Sequence, residues 1–491
     1  MDICRREFGL GVLAGVAGRV FAQAPRPKLF VLVVLEQLRS DAVESLTPRF
    51  GPGGFRRLQE KGAGFPDCRH LASGFSSTGI ATLATGAWPA EHGIVADQWY
   101  GRASRATVRA SAEGLLATTL AAQVAGAPRT RVYAISMDRA QAALFAGTPD
   151  ARLFWMDDGG QIAGGPEAPD WLAEYNRLAP VESAHNADWM ALGARAGAPP
   201  LRTLRFDPAK PADFLTLYKA SPFAEEAQFA FLAELISRER LGQGDTFDFV
   251  CIVAGSSALL GYETGGRSPL MDQMTLQLDV HLDALFSKLD KTPGPNAYHL
   301  ALTAAHGAPP APAAAGRARM AVSGADVAHE VQRMLATGGA GSVEKFVYPF
   351  LYLDAGAARD PEPLRLAAAR AALRQAAVAG YYTSGGACST HDNWERRFRN
   401  SFHPARSGDV MLSYQPEYIE DYGADRGVSY GSLYNYDACV PLFFYGPQFR
   451  AGVYESTVES VDVAPTLARA MGVAAPSSST GRVLGQAMGG A

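Results

Sequence analysis

Five apolar runs spaced along 491 residues most constrain how this chain can fold. Leu29–Leu35 reads LFVLVVL, unbroken and rich in β-branched residues, the pattern of a strand buried on both faces. Similar runs occur at Arg131–Ser136, Phe247–Val253, Tyr298–Leu302 and Val440–Tyr445. Between them, Phe229, Leu232, Leu235 and Ile236 fall on one face of a helix predicted over Phe223–Arg240. An Ala-, Leu- and Arg-rich stretch predicts another over Glu362–Ala379. Strands alternating with helices predict an α/β fold, a doubly wound, mostly parallel sheet covered on both faces. Ligands of such sheets bind outside the carboxyl ends of the strands.

Two stretches break the alternation. Residues 150–220 carry Trp155, Trp171 and Trp189 among many Pro and Gly, and residues 308–435 open on the Ala/Pro-rich run 308–316, which suits a polyproline-like segment. Both are expected to be cap insertions within one domain spanning 25–491. Charged residues make up 19% and the net charge is -4, which excludes wholesale disorder and gives no basic surface for nucleic acid.

The first 24 residues read as a targeting segment. Arg5-Arg6-Glu7-Phe8-Gly9-Leu10 is followed by an apolar run to Val16 and by the small-residue pattern Ala22-Gln23-Ala24. This is similar to a twin-arginine export signal cleaved after Ala24, and implies a periplasmic or secreted product. No run reaches bilayer-spanning length. Cys68, Cys251, Cys388 and Cys439 follow the signal; four cysteines permit three pairings, and no C-x-x-C pair suggests a zinc–thiolate site.

An ordered series of motifs then resembles one family. Val33-Val34-Leu35-Glu36-Gln37-Leu38-Arg39-Ser40-Asp41 is similar to V-x-x-D-Q-M-R-x-D, and Gly53–Leu58 to G-G-F-x-R-L. Ala81–Gly86 and Pro89–Ile94 resemble A-S-x-x-T-G and P-x-x-H-G-I. Asn400–Pro404 and Arg406–Val410 resemble N-S-x-x-P and R-S-G-D-V, and Val461–Leu467 closes the series. Together they resemble the alkaline phosphatase superfamily, type I phosphodiesterase/nucleotide pyrophosphatase group. Within it, the similarity is to periplasmic phosphate-monoester hydrolases with a threonine nucleophile. The resemblance implies two zinc ions about 4 Å apart, clamping both oxygens of an in-line phosphoryl displacement.

Carried over residue by residue, the implied site has lost most of its donors. The first-strand aspartate falls on Glu36, the nucleophile on Ser76, and a histidine four residues later on Ile80. A further aspartate and histidine fall on Ala258 and Tyr262. The Asp-His pair at the end of Leu302-Thr303-Ala304-Ala305-His306-Gly307 becomes Ala305-His306. The late histidine becomes Tyr430, the phosphoryl-binding lysine Met137, and an asparagine Asp97, while Asp138 and Arg139 remain. Alanine offers zinc no donor and a neutral phenol is a poor one. The resemblance thus implies at most one residual zinc at Glu36 and His306, or none.

The implied function is an exported, catalytically degenerate relative that binds a small phosphorylated or anionic ligand in the old pocket. The alternative is a residual ester hydrolase, single-metal or metal-free, with Ser76 as nucleophile and Asp97 and Arg139 assisting. Ser76 otherwise reads as a cap of a helix starting near Thr78. Glu36, His306 and Ser76 together allow an acid–histidine–serine arrangement. Tyr262 and Tyr430 are read as filling the vacated metal cavity. Arg39, His403 and Arg406 read as loop structure, and His70 and His92 as framework. Glu263, His391 and Asp392 are the insert residues able to rebuild a metal site.

Overall fold

The computed structural model describes residues 27–489, except 311–320, 339–340, 357–358, 391–393, 417 and 422–428. The expected export signal, His391, Asp392 and most of the Ala/Pro-rich run lie outside the described residues.

The main sheet is built from β1 (Leu29–Leu35), β2 (Ala63–Arg69), β3 (Thr130–Ser136), β4 (Arg152–Met156), β5 (Ile162–Gly164), β6 (Phe247–Ala254) and β7 (Tyr298–Ala304). The chain then leaves it for a second sheet of β8 (Ser342–Val347), β9 (Phe350–Asp354), β10 (Val378–Thr383), β11 (Cys388–Ser389) and β12 (Val410–Tyr414). It returns with β13 (Cys439–Tyr445), β14 (Gly452–Val453) and β15 (Val458–Glu459). The main sheet is ten-stranded, in the order β14-β2-β13-β7-β1-β6-β3-β4-β5, with β15 also on β2.

The sheet is mixed. β7, β1, β6, β3 and β4 run parallel, whereas β13 is antiparallel to both β7 and β2, and β5 is antiparallel to β4. The alternating strands and helices therefore give the expected α/β fold, with helices on both sides. The helices needed below are α1 (Ser76–Thr85), α2 (Arg139–Ala146), α3 (Pro222–Arg238), α4 (Ser256–Thr264), α5 (Pro269–Lys291), α6 (Gly324–Gly338) and α7 (Glu362–Ala372).

β1 lies at the centre and all seven of its residues are buried. Each Val or Leu side chain buried there contributes roughly 1.5–3 kcal/mol. At its amino end, the neighbouring β6 and β3 are tied by a partly buried pair: Asp248 accepts from Arg131 Nε at 2.7 Å and Nη2 at 2.9 Å. At the carboxyl end, Leu35 stands beside Ala254 and Ala304. The ladder continues one step further, through Glu36 N to Ala254 O (3.2 Å) and Ala305 N to Leu35 O (2.8 Å). Glu36 and Ala305 thus leave adjacent strands side by side.

Two expected boundaries shift. Residues 152–164, placed in the first insertion, extend the main sheet as β4 and β5. The helix predicted to Ala379 stops at Ala372, because Val378-Ala379-Gly380-Tyr381-Tyr382-Thr383 pairs with β12 as a strand instead. β10 is rich in the β-branched and aromatic residues that favour a pleated surface. The second sheet, in the order β8-β9-β12-β10-β11, is covered by α6 and α7. Among the described residues, Cys68, Cys251, Cys388 and Cys439 are free thiols, and Cys251 packs in the core within β6.

Candidate active site

The strand ends supply one side of the site and α1 the other. α1 can approach because Gly79 has no side chain: a Cβ there would lie 1.9 Å from the Ala305 carbonyl oxygen. That approach brings the first residue of α1, Ser76, within reach of the residue after Ala305. Ser76 Oγ lies 3.0 Å from His306 Nε2. His306 Nδ1 lies 2.6 Å from the Gly307 carbonyl, which only accepts, so Nδ1 carries the proton and Nε2 faces the serine bare. Burial lowers the His306 pKa to about 3, so the ring is neutral at pH 7.

Ser76 is not the expected cap. The helix starts at Ser76 itself, with Phe75 before it; Phe75 N donates to Thr78 Oγ1, and that hydroxyl lies within hydrogen-bond reach of the Phe75 carbonyl. The Ser76 hydroxyl is turned toward His306 and away from the helix end.

Tyr430 closes the cluster. Its ring stacks on His306 at 4.4 Å and 25°. Its hydroxyl lies 3.3 Å from Ser76 Oγ and donates to Asp97 Oδ2 at 3.3 Å. Asp97 Oδ1 accepts from Ser77 N at 2.8 Å, so this carboxyl serves the amino end of α1. Burial raises the Asp97 pKa. Glu36 is raised to about 7, chiefly by burial, with hydrogen bonds from Ser76 and Gln141 pulling it back.

The acid–histidine–serine order is not formed. Glu36 bonds to Ser76, while the far imidazole nitrogen is held by a backbone carbonyl. Arg139 points elsewhere: it is exposed and lies over the Trp155 ring, 5.5 Å from its centroid, while Asp138 before it caps α2. Met137 packs against Ser256, with 3.9 Å between its sulfur and Ser256 Oγ. Glu263 is bound to Arg202 at 2.6 and 3.0 Å. His70 holds the Ala304 carbonyl at 2.9 Å, and His92 accepts from Ile94 N at 3.1 Å, both framework roles. Arg406 bonds to the Gly93 and Gly114 carbonyls, and Arg39 to Asp41 and Ala308.

Sequence reasoning passed over Gln141. Its Nε2 lies 3.3 Å from both Glu36 carboxylate oxygens, and its Oε1 accepts from Ser136 Oγ at 2.8 Å. Its one signal is its position in the first turn after the carboxyl end of β3. A pocket of about 340 Å³ opens beside the cluster, walled by Phe75, Asp97, Arg109, Tyr262, Tyr348 and Tyr430.

Residues 30–423 match the type I phosphodiesterase/nucleotide pyrophosphatase family. The chain belongs to that family. It is 26% identical to alkaline phosphatase PhoV of Synechococcus elongatus, covering 96% of this chain and 95% of that one. It is 25% identical to alkaline phosphatase PafA of Elizabethkingia meningoseptica, with 99% of each covered. The crystal structure of wild-type PafA superimposes with a TM-score of 0.82 at 21% identity, over 95% of this chain and all of PafA.

The family's two zinc ions do not suit the donors present. Ala258 and Ala305 carry none, Tyr262 and Tyr430 carry phenols, and His306 offers only Nε2. Among the described residues, no three His, Cys, Asp or Glu side chains are grouped to hold a metal ion. Among the described residues, no helix is long and apolar enough to cross a membrane.

Proposed function

We propose that this chain is an exported member of the family that has given up two-zinc phosphoryl transfer and binds a small phosphorylated or anionic ligand in the pocket beside Tyr430. The observation that carries this reading is the placement of Tyr430. A side chain stacked on His306 and bonded to Asp97 occupies the corner where a second metal would need a free donor. Charge supports the ligand class. The guanidinium of Arg109 on the pocket wall is a cation available to such a ligand. The twin arginine at Arg5-Arg6 supports export.

Elemental analysis of the purified, dialysed protein tests the reading, together with an aryl phosphate assay. Well under one zinc per chain and no turnover above background are expected. Two zinc ions with turnover would sink it.

The bond between Ser76 and a tautomerically fixed His306 favours a second reading, metal-free ester hydrolysis. Against it, Ser77 N is committed to Asp97 and so is not free to stabilise an oxyanion. Ser76→Ala is expected to leave aryl acetate hydrolysis unchanged. A fall of about a hundredfold or more would establish the second reading instead.

A further inference from the structure

The pocket beside Tyr430 is walled by rings on one side and by a hairpin on the other. Phe75 stands edge-on to Tyr348 and to Tyr430, with ring centroids 6.0 and 6.4 Å away at 69° and 63°. Tyr348 is backed in turn by Tyr414, 4.9 Å away, and Tyr262 adds a further ring to the wall. Rings fixed by one another offer a flat guest their faces and edges, and lose little freedom when it enters.

The hairpin is a two-stranded ribbon, Gln98–Gly101 with Ala106–Arg109. Gln98 and Arg109 are directly opposite each other across it, so their side chains leave the same face, and both line the pocket. Among the described residues, neither side chain has a hydrogen bond or an ion pair. The ribbon that carries them is tied to β8, where Glu344 accepts from the Tyr100 hydroxyl at 2.9 Å and from Arg102 Nη1 at 3.0 Å. Among the described residues of the wall, Arg109 is the only cation and Asp97 the only carboxyl. Asp97 is already engaged, by Ser77 N and by the Tyr430 hydroxyl. A guest with two negative charges would find no second cation. A guest with one would find a planar guanidinium fork, which takes a carboxylate with two parallel hydrogen bonds.

Resting on the ligand-binding reading above and narrowing it, we propose that this pocket binds an aromatic carboxylate. Its ring lies among Phe75, Tyr262 and Tyr348, and its carboxylate sits on Arg109 with the Gln98 amide beside it. A volume of about 340 Å³ suits a guest of that size.

Calorimetric titration of the dialysed full protein tests the assignment with four probes: naphthoate, the neutral isostere naphthamide, the saturated acid decahydronaphthoate, and inorganic phosphate. Naphthoate is expected to bind about tenfold more tightly than naphthamide or phosphate, and about fivefold more tightly than the saturated acid. Arg109→Gln should bring naphthoate down to the level of the amide and leave the amide unchanged. Arg109 is exposed, so this variant keeps its fold. Naphthoate bound no more tightly than phosphate or the saturated acid, or bound equally by the variant, would overturn the aromatic carboxylate. Neither result bears on the loss of two-zinc chemistry, which the zinc content reads separately.

Discussion

Zinc is expected to return when four side chains are restored together, in the variant Ala258→Asp, Tyr262→His, Ala305→Asp, Tyr430→His. Ala258 and Tyr262 are one turn apart on α4, so both project from one face of the helix. Position 305 leaves β7 beside Glu36, and His306 follows it. Removing the Tyr430 phenol also frees the face of His306 on which it stacks. If Glu36, His306 and these four are the six ligand positions that the resemblance implies, the donor atoms are what is missing. Elemental analysis should move from well under one zinc to about two per chain. Aryl phosphatase activity should rise with it, and further on adding Met137→Lys, which returns a cation for the transferred phosphoryl group. A folded variant that still takes up no zinc would show that the strand ends have drifted out of ligating geometry.

Asp248→Ala is expected to cost about 3–5 kcal/mol, a large share of a total stability of roughly 5–15 kcal/mol. Asp248 is fully buried and accepts from Arg131 twice, from Gly242 N at 2.7 Å and from Thr246 Oγ1 at 3.2 Å. Truncation removes four hydrogen bonds and leaves a partly buried guanidinium without its counter-charge. Urea unfolding followed by circular dichroism measures the loss. A change below about 1 kcal/mol would mean that water reaches Arg131 and replaces the carboxylate. Asp248→Asn, which keeps the shape, should fall between the two.

The strands of the main sheet were legible where they are apolar on both faces. β1, β3, β6, β7 and β13 fall within two residues of the runs that announced them. Direction was not legible: β13 reads like its neighbours but runs antiparallel, because direction is set by where the connection re-enters the sheet. The second sheet was hidden for a different reason. Its strands are short and partly polar, as in the SVEKFV of β8, and β10 follows an Ala-rich helix with little to mark the change. In the site, the resemblance to the family's motifs placed Glu36, Ser76, Asp97, His306 and Tyr430 near one another. They said nothing of side-chain direction, which turned Arg139 outward and the Ser76 hydroxyl inward. Nor did they reveal Gly79, whose part depends on a carbonyl far away in sequence.

The central position of β1 also has a consequence in time. Both of its partners, β6 and β7, belong to the second half of the chain, so the first strand synthesised waits for more than half the protein before either edge is covered. Until then LFVLVVL is an uncharged, β-branched segment with two open edges, the kind of sequence that associates with its like. Loop closures this long are slow. The yield of folded protein should therefore depend on how quickly synthesis delivers β6 and β7, and on whatever shields β1 meanwhile, more than on the stability of the finished sheet.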